Sequence, residues 1–201
     1  MASTVAIHPA ENSQIPVDLF VSRKHPDLTR GDLGFADSSG NIVFRVSLES
    51  RRRRSSSSSS CSAPKRVLLD AAGVPLISMY RHQNGSWQGY KGNGGCGGED
   101  KEKDLIFRVE RKVKTLTRIE LKVFLVGGNS TCELRIKGCP FQRSCTIYTG
   151  DSIQSIVAQS NLMYKLHQVF VKRSEFRVTI FPGNDHALVA ALILVFLDGH
   201  M

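Results

Sequence analysis

Along most of the chain, apolar and polar side chains change places at every second residue. Leu105, Phe107 and Val109 alternate with Arg108 and Glu110, and Ile119, Leu121, Val123 and Leu125 alternate with Glu120 and Lys122. Leu134 and Ile136 stand between Glu133, Arg135 and Lys137. A period of two marks a strand with one buried and one wetted face. The same reading predicts strands at 17–21, 33–36, 42–46, 67–69, 75–80 and 87–90. Further strands are predicted near 145–148, 152–159, 169–171 and 175–181, about a dozen in all, spaced as in a meander. Two hairpins share one plan, Asp37-Ser38-Ser39-Gly40-Asn41 and Asp70-Ala71-Ala72-Gly73, with turn residues between the strands and weak internal repetition.

The alternation stops near the C-terminus. From Ala187 to Leu197 no side chain carries a polar atom, so this segment must be enclosed on every side. It is too short for a bilayer, which takes about 20 apolar residues. Its Leu and Ala content favours a helix over a strand. Pro182-Gly183 ends the preceding segment and Asn184 or Asp185 can cap the helix, predicted over about 185–197. Such a helix is about 16 Å long, close to the roughly 17–20 Å of a strand.

These two patterns fit together. Rolling the sheet up turns every apolar face inward and removes the edges, but about twelve strands enclose a lumen too wide for their own side chains to fill. A wholly apolar helix fills it. The expected fold is mostly β, an about twelve-stranded closed barrel enclosing one hydrophobic C-terminal α-helix. Residues 1–14 read as a loose tail and 15–199 as one barrel domain. Insertions at about 49–64 and 91–103 read as exposed and flexible, because they lack hydrophobic periodicity.

Composition changes this picture little. With 201 residues, 41% of them apolar, one domain with a real core is expected. Of the net charge of +9, Arg51, Arg52, Arg53 and Arg54 supply four, so the remainder is only moderately basic. The five cysteines, Cys61, Cys96, Cys132, Cys139 and Cys145, form no Cys-x-x-Cys pair, and residues 1–20 show no secretory signal pattern. Reduced thiols and an intracellular protein are expected, cytoplasmic and either membrane-peripheral or nuclear.

The sequence carries few signatures of catalysis. There is no Gly-x-Ser-x-Gly, no His-Glu-x-x-His and no outstanding carboxylate pair. The spacing of Cys132, Cys139 and Cys145 fits no common zinc pattern, and His186 reads as a capping or packing residue. The glycines of 92–98 lack the Lys-Ser/Thr of a phosphate-binding loop. No catalytic residue, cofactor or metal is therefore expected.

Binding has better candidates. Arg51, Arg52, Arg53 and Arg54 form an arm suited to an anionic membrane or to nucleic acid, with a solvated loop as the plain alternative. Ser55, Ser56 and the serines after them invite phosphorylation, each phosphate adding about −1.5 to −2 charge and cancelling the arm. Arg111, Lys112 and Lys114, with Arg108, Arg118 and Lys122 nearby, are a second basic patch, suited to a headgroup phosphate if they converge, with the wetted face of a barrel as the plain alternative.

The hairpins GFADSSGNIVFRV and VLLDAAGVPLISMYR, the SWQGYKG element and the tail FRVTIFPGNDHALVAALILVFLDG resemble the LURP-one-related family of land plants. The resemblance spans about residues 16–199, and the tail is its most specific part. It implies a fold like the tubby C-terminal domain and phospholipid scramblases, a twelve-stranded barrel around a hydrophobic helix. It further implies a non-enzymatic binding or scaffold protein, a link to plant defence and phosphoinositide headgroups or protein partners as ligands. The rival expectation is a membrane-tethered or nuclear regulator that binds nucleic acid through the basic loop.

Overall fold

The computed structural model describes residues 14–29, 32–49, 65–93, 104–115, 117–126, 133–150, 155–162 and 175–198, and the structural statements below concern these. The chain forms β1 (Val17–Ser22), β2 (Leu33–Ala36), β3 (Ile42–Glu49), β4 (Lys65–Asp70), β5 (Pro75–Arg81) and β6 (Trp87–Lys91). It continues with β7 (Leu105–Lys114), β8 (Ile119–Leu125), β9 (Leu134–Cys139), β10 (Ser144–Thr149), β11 (Ile156–Leu162), β12 (Phe176–Ile180) and α1 (His186–Asp198). A short 3-10 turn, Pro140–Gln142, joins β9 to β10.

Every strand lies antiparallel to its sequence neighbours, and β1 closes on β12 with Val17 opposite Ile180 and Val21 opposite Phe176. The result is a closed twelve-stranded barrel with no open sheet edge to pair with another chain. The alternation predicted from the sequence becomes an inner and an outer wall. Phe35, Phe44, Ile77, Met79, Phe107, Ile136, Ile147 and Phe176 are fully buried. The predicted strand at 169–171 lies outside the described residues, and the one expected from 152 is described as a strand from Ile156.

In an up-and-down barrel all odd strands end, and all even strands begin, at one mouth, here termed the near mouth. Helix α1 follows β12, so it enters at the far mouth and runs down the lumen to finish with Asp198 at the near mouth. Ala187 and 189–196 are buried without exception. Burying each large aliphatic side chain favours folding by about 1.5–3 kcal/mol, which holds the helix as the core of the sheet around it. The wall makes room for large side chains at defined points. A Cβ on Gly89 would lie 2.3 Å from the ring of Phe107 on the adjacent strand, so Phe107 lies over a residue without a side chain. No helix among the described residues is long and apolar enough to cross a membrane.

The far end of the helix is held by its own sequence. Asp185 Oδ1 accepts the backbone N–H groups of Ala187 and Leu188 at 2.8 and 3.0 Å, an N-cap that satisfies two otherwise orphaned donors. Gly183, at φ +78°, turns the chain from β12 into this cap. The hairpin plan seen at Asp37 and Asp70 recurs at β5–β6, where Gly85 N–H donates to His82 C=O just as Gly40 does to Asp37 and Gly73 to Asp70.

Candidate functional site

The inner wall is apolar from one mouth almost to the other, and at the near mouth arginines stand on three strands and immediately beside two more. Arg23 stands two residues beyond Val21 of β1, Arg66 two before Leu68 of β4 and Arg81 two beyond Met79 of β5. Arg111 stands two beyond Val109 of β7, and Arg143 two before Cys145 of β10. Two residues along a strand return to the same face, so Arg66, Arg81 and Arg111 continue inward-facing rows to the rim, while Arg23 and Arg143 lie just outside the strands that they adjoin.

Asp198, the last residue of α1, stands among them. Its carboxylate is bonded to Arg66 Nη2, with Asp198 only 6% and Arg66 only 9% exposed. Burial pushes the Asp198 carboxyl above its ordinary value, opposed by the charge of Arg66 and, more weakly, by Arg81 and Arg23. Burial likewise draws Arg66 down, with Asp198 working against that fall and Arg23 adding to it. Arg111 is lowered by burial and then by Arg81, and Arg143 by burial and then by Arg23. Like charges thus act on one another at partly desolvated positions, an arrangement that favours an incoming anion.

The surroundings hold these groups in place. Arg143 follows the Pro140–Gln142 turn with left-handed backbone (φ 48°), and its guanidinium lies 5.6 Å from the centre of the Phe176 ring. That is within cation–π range. Its carbonyl accepts the Ser160 hydroxyl at 2.9 Å, while the Ser160 oxygen accepts Cys145 N–H at 3.0 Å. The last turn of α1 carries no base of its own, so the sheet supplies the positive charge that complements the negative end of the helix dipole.

The predicted patch divides between the two walls. Arg111 belongs to the inner row, opposite Leu121 of β8. Lys112 occupies a bulge between Arg111 and Val113 and stands on the outer wall, 3.9 Å from Glu120, which Lys137 approaches at 4.0 Å. Glu110, Lys122 and Arg135 share that outer wall, so acids and bases interleave there. With both lysines exposed and the separations long, such pairs contribute about 0–1 kcal/mol. The backbone of Lys114 pairs with Ile119, and its side chain lies outside the described residues. Arg51, Arg52, Arg53, Arg54, Ser55 and Ser56 also lie outside them. Their segment joins the end of β3 to the start of β4, both at the near mouth.

Sequence reasoning missed Arg23, Arg66, Arg81, Arg143 and Asp198. For Arg66 and Arg81 the signal was there, since each holds the parity of an inward row, but a basic residue in that parity reads as a strand end until the closed barrel brings such ends together. An open cleft of about 720 Å³ beside this mouth, lined by Arg118, Glu120, Lys137, Gln142 and Ser144 among others, carries both signs of charge. Cys139 and Cys145 are free thiols on adjacent strands, one register step apart; Cys132 lies outside the described residues. Burial pushes the Cys145 thiol up to about 12, partly offset by its hydrogen bond with Ser160, so it stays protonated and unreactive.

Comparison with known proteins agrees with this architecture. The family model described as LURP-one-related matches residues 17–198. Protein LURP-one-related 7 of Arabidopsis thaliana is 49% identical over 192 residues, covering 95% of this chain and 94% of that protein. Protein LURP-one-related 15 of the same plant is 30% identical over 203 residues, covering 98% and 86%. A crystal structure of an Arabidopsis thaliana protein superposes with a TM-score of 0.66 at 28% identity, covering 98% of each chain. With the match running from the first strand to the last residue of the central helix, the chain belongs to the LURP-one-related family.

Proposed function

We propose that this protein is a non-enzymatic binding module of the tubby-like type that recognises the phosphorylated headgroup of an anionic phospholipid at its near mouth. The observation that carries this reading is the gathering of Arg66, Arg81 and Arg23 about the Asp198 carboxylate at the end of the lumen, with Arg111 acting on Arg81 and Arg143 on Arg23. Guanidinium groups present planar, forked donors that match phosphate oxygens, and they stay charged when partly desolvated. The arm of Arg51, Arg52, Arg53 and Arg54 leaves and rejoins the barrel at the same mouth. Near an anionic leaflet each such side chain adds about 1 kcal/mol of attraction, which phosphates on the adjoining serines would cancel.

Vesicle flotation tests the reading. The protein should float with phosphatidylcholine vesicles containing a phosphoinositide and not with phosphatidylcholine alone. Arg81→Glu/Arg111→Glu should abolish flotation, whereas Lys112→Glu on the outer wall should leave it largely intact. Deleting residues 51–60 should weaken binding without abolishing its headgroup preference. If the deletion removes all binding, the attraction belongs to the loop and not to the mouth. DNA binding that falls steeply with salt, with no lipid preference, would favour the nucleic-acid reading instead.

A further inference from the structure

The Arg66–Asp198 pair has the wrong energetics for a strut. Burial acts against the charged form of both partners. Replacing a buried ion pair by apolar side chains of similar volume is commonly neutral or stabilising. The helix does not need this pair for its position, since its far end is capped by Asp185 and its length is clasped by the apolar lumen. What the pair does achieve is chemical. A carboxylate offers a guanidinium two oxygens in the same planar arrangement as two oxygens of a phosphate. Asp198 thus presents an oxyanion, from the end of α1, to a row of arginines drawn from β4, β5 and the end of β1.

We infer that Asp198 is an internal counter-anion that occupies the arginine site of the empty protein and is displaced when a phosphate group binds there. The inference rests on the reading of the near mouth as an anion site and adds its regulation. The carboxylate keeps the guanidinium groups gathered and partly neutralised, and it sets a threshold that weak anions do not pass. A ligand with a doubly charged phosphate takes over Arg66, and Asp198 is left with Arg81 and Arg23, whose charges already act on it.

The test compares wild type with Asp198→Asn and Asp198→Glu, using inorganic phosphate in calorimetric titration and phosphoinositide-containing vesicles in flotation. Removing the competing charge should tighten phosphate binding at least about tenfold, the worth of one charge-assisted hydrogen bond. Asp198→Glu, which restores a carboxylate, should return the affinity towards that of wild type. A gain with phosphate and vesicles alike supports exchange at the phosphate group itself, and a gain confined to vesicles supports exchange with the lipid as the source. Equal or weaker binding by Asp198→Asn overturns the inference while leaving the anion site standing, because the carboxylate would then be positioning the arginines. Absence of binding in all three proteins overturns both readings. Should Asp198→Asn fail to fold, the wild type suffices: phosphate must shift both the Arg66 Nε–H resonance and the Asp198 carboxyl carbon resonance. Binding that moves neither overturns the exchange.

Discussion

The two ends of α1 are secured in opposite ways. At the far mouth, Asp185 accepts N–H groups two and three residues ahead of it, and Pro182-Gly183 sets up the turn. The cap's hydrogen bonds to Ala187 and Leu188 reach only two and three residues along the sequence. At the near mouth the last turn has no base of its own, and its carboxylate is met by Arg66, 132 residues earlier in the chain. Local capping is inexpensive and does little besides hold. The long-range arrangement sets a buried ion pair among like charges, a costly placement that tertiary structure keeps because the barrel around it is stable for other reasons. The contrast separates the end that builds the fold from the end that is free to do chemistry.

Substitutions can break or sharpen that contrast. The largest loss is expected inside the lumen. Phe196→Ala, in the fully buried lumen, should cost about 3–5 kcal/mol in chemical denaturation, with or without added phosphate. At the near mouth, Arg66→Met removes the bonded partner of a buried carboxylate and should cost about 3 kcal/mol, whereas Arg66→Met/Asp198→Leu should recover most of it. A double variant no more stable than the single would show that the two charges are not energetically coupled. At the far mouth, Asp185→Ala should cost only about 1 kcal/mol, and Asp185→Asn, which also caps, a few tenths.

Acidity offers a subtler probe of the same pair. Burial, the leading influence, holds the Asp198 carboxyl above its ordinary value in the folded state. The folded protein therefore binds this proton more tightly than the unfolded chain. The stability it contributes is fully present below the ordinary carboxylate range and is lost as pH rises through the raised value. Wild type should lose stability relative to Asp198→Asn as pH climbs from about 4, the ordinary value for aspartate. Denaturation curves of both proteins across that window decide it. A gap that stays flat, or widens in favour of wild type, would mean that the arginines outweigh burial. The smallest effect is expected at Lys112→Ala, about 0–0.5 kcal/mol, since Lys112 is exposed and its 3.9 Å approach to Glu120 is loose.

Much of the architecture was legible one residue at a time. The alternation of Leu105, Phe107 and Val109 with Arg108 and Glu110 contains the inner and outer walls. Period two needs no knowledge of the partner strand. The unbroken apolar run of α1 likewise demands enclosure wherever it sits, so a barrel with a filled lumen follows from two local facts. The basic patch was not legible in the same way. Arg111 and Lys112 are neighbours in sequence, yet one continues the inner row and the other stands at a bulge beside Glu120. No periodicity rule announces a bulge, because the extra residue is tolerated by the pairing of two strands rather than dictated by either.

The chain alone, then, determined which side chains had to leave water and with what period, because hydrophobic burial and strand geometry act on each short segment separately. Only the closed structure decided which charges would meet. Arg23, Arg66 and Arg81 come from parts of the chain spread over 59 residues of sequence, and Asp198 reaches them by running the length of the lumen. Coulomb interaction depends on distance in space, and that distance is set by the curvature and closure of the sheet.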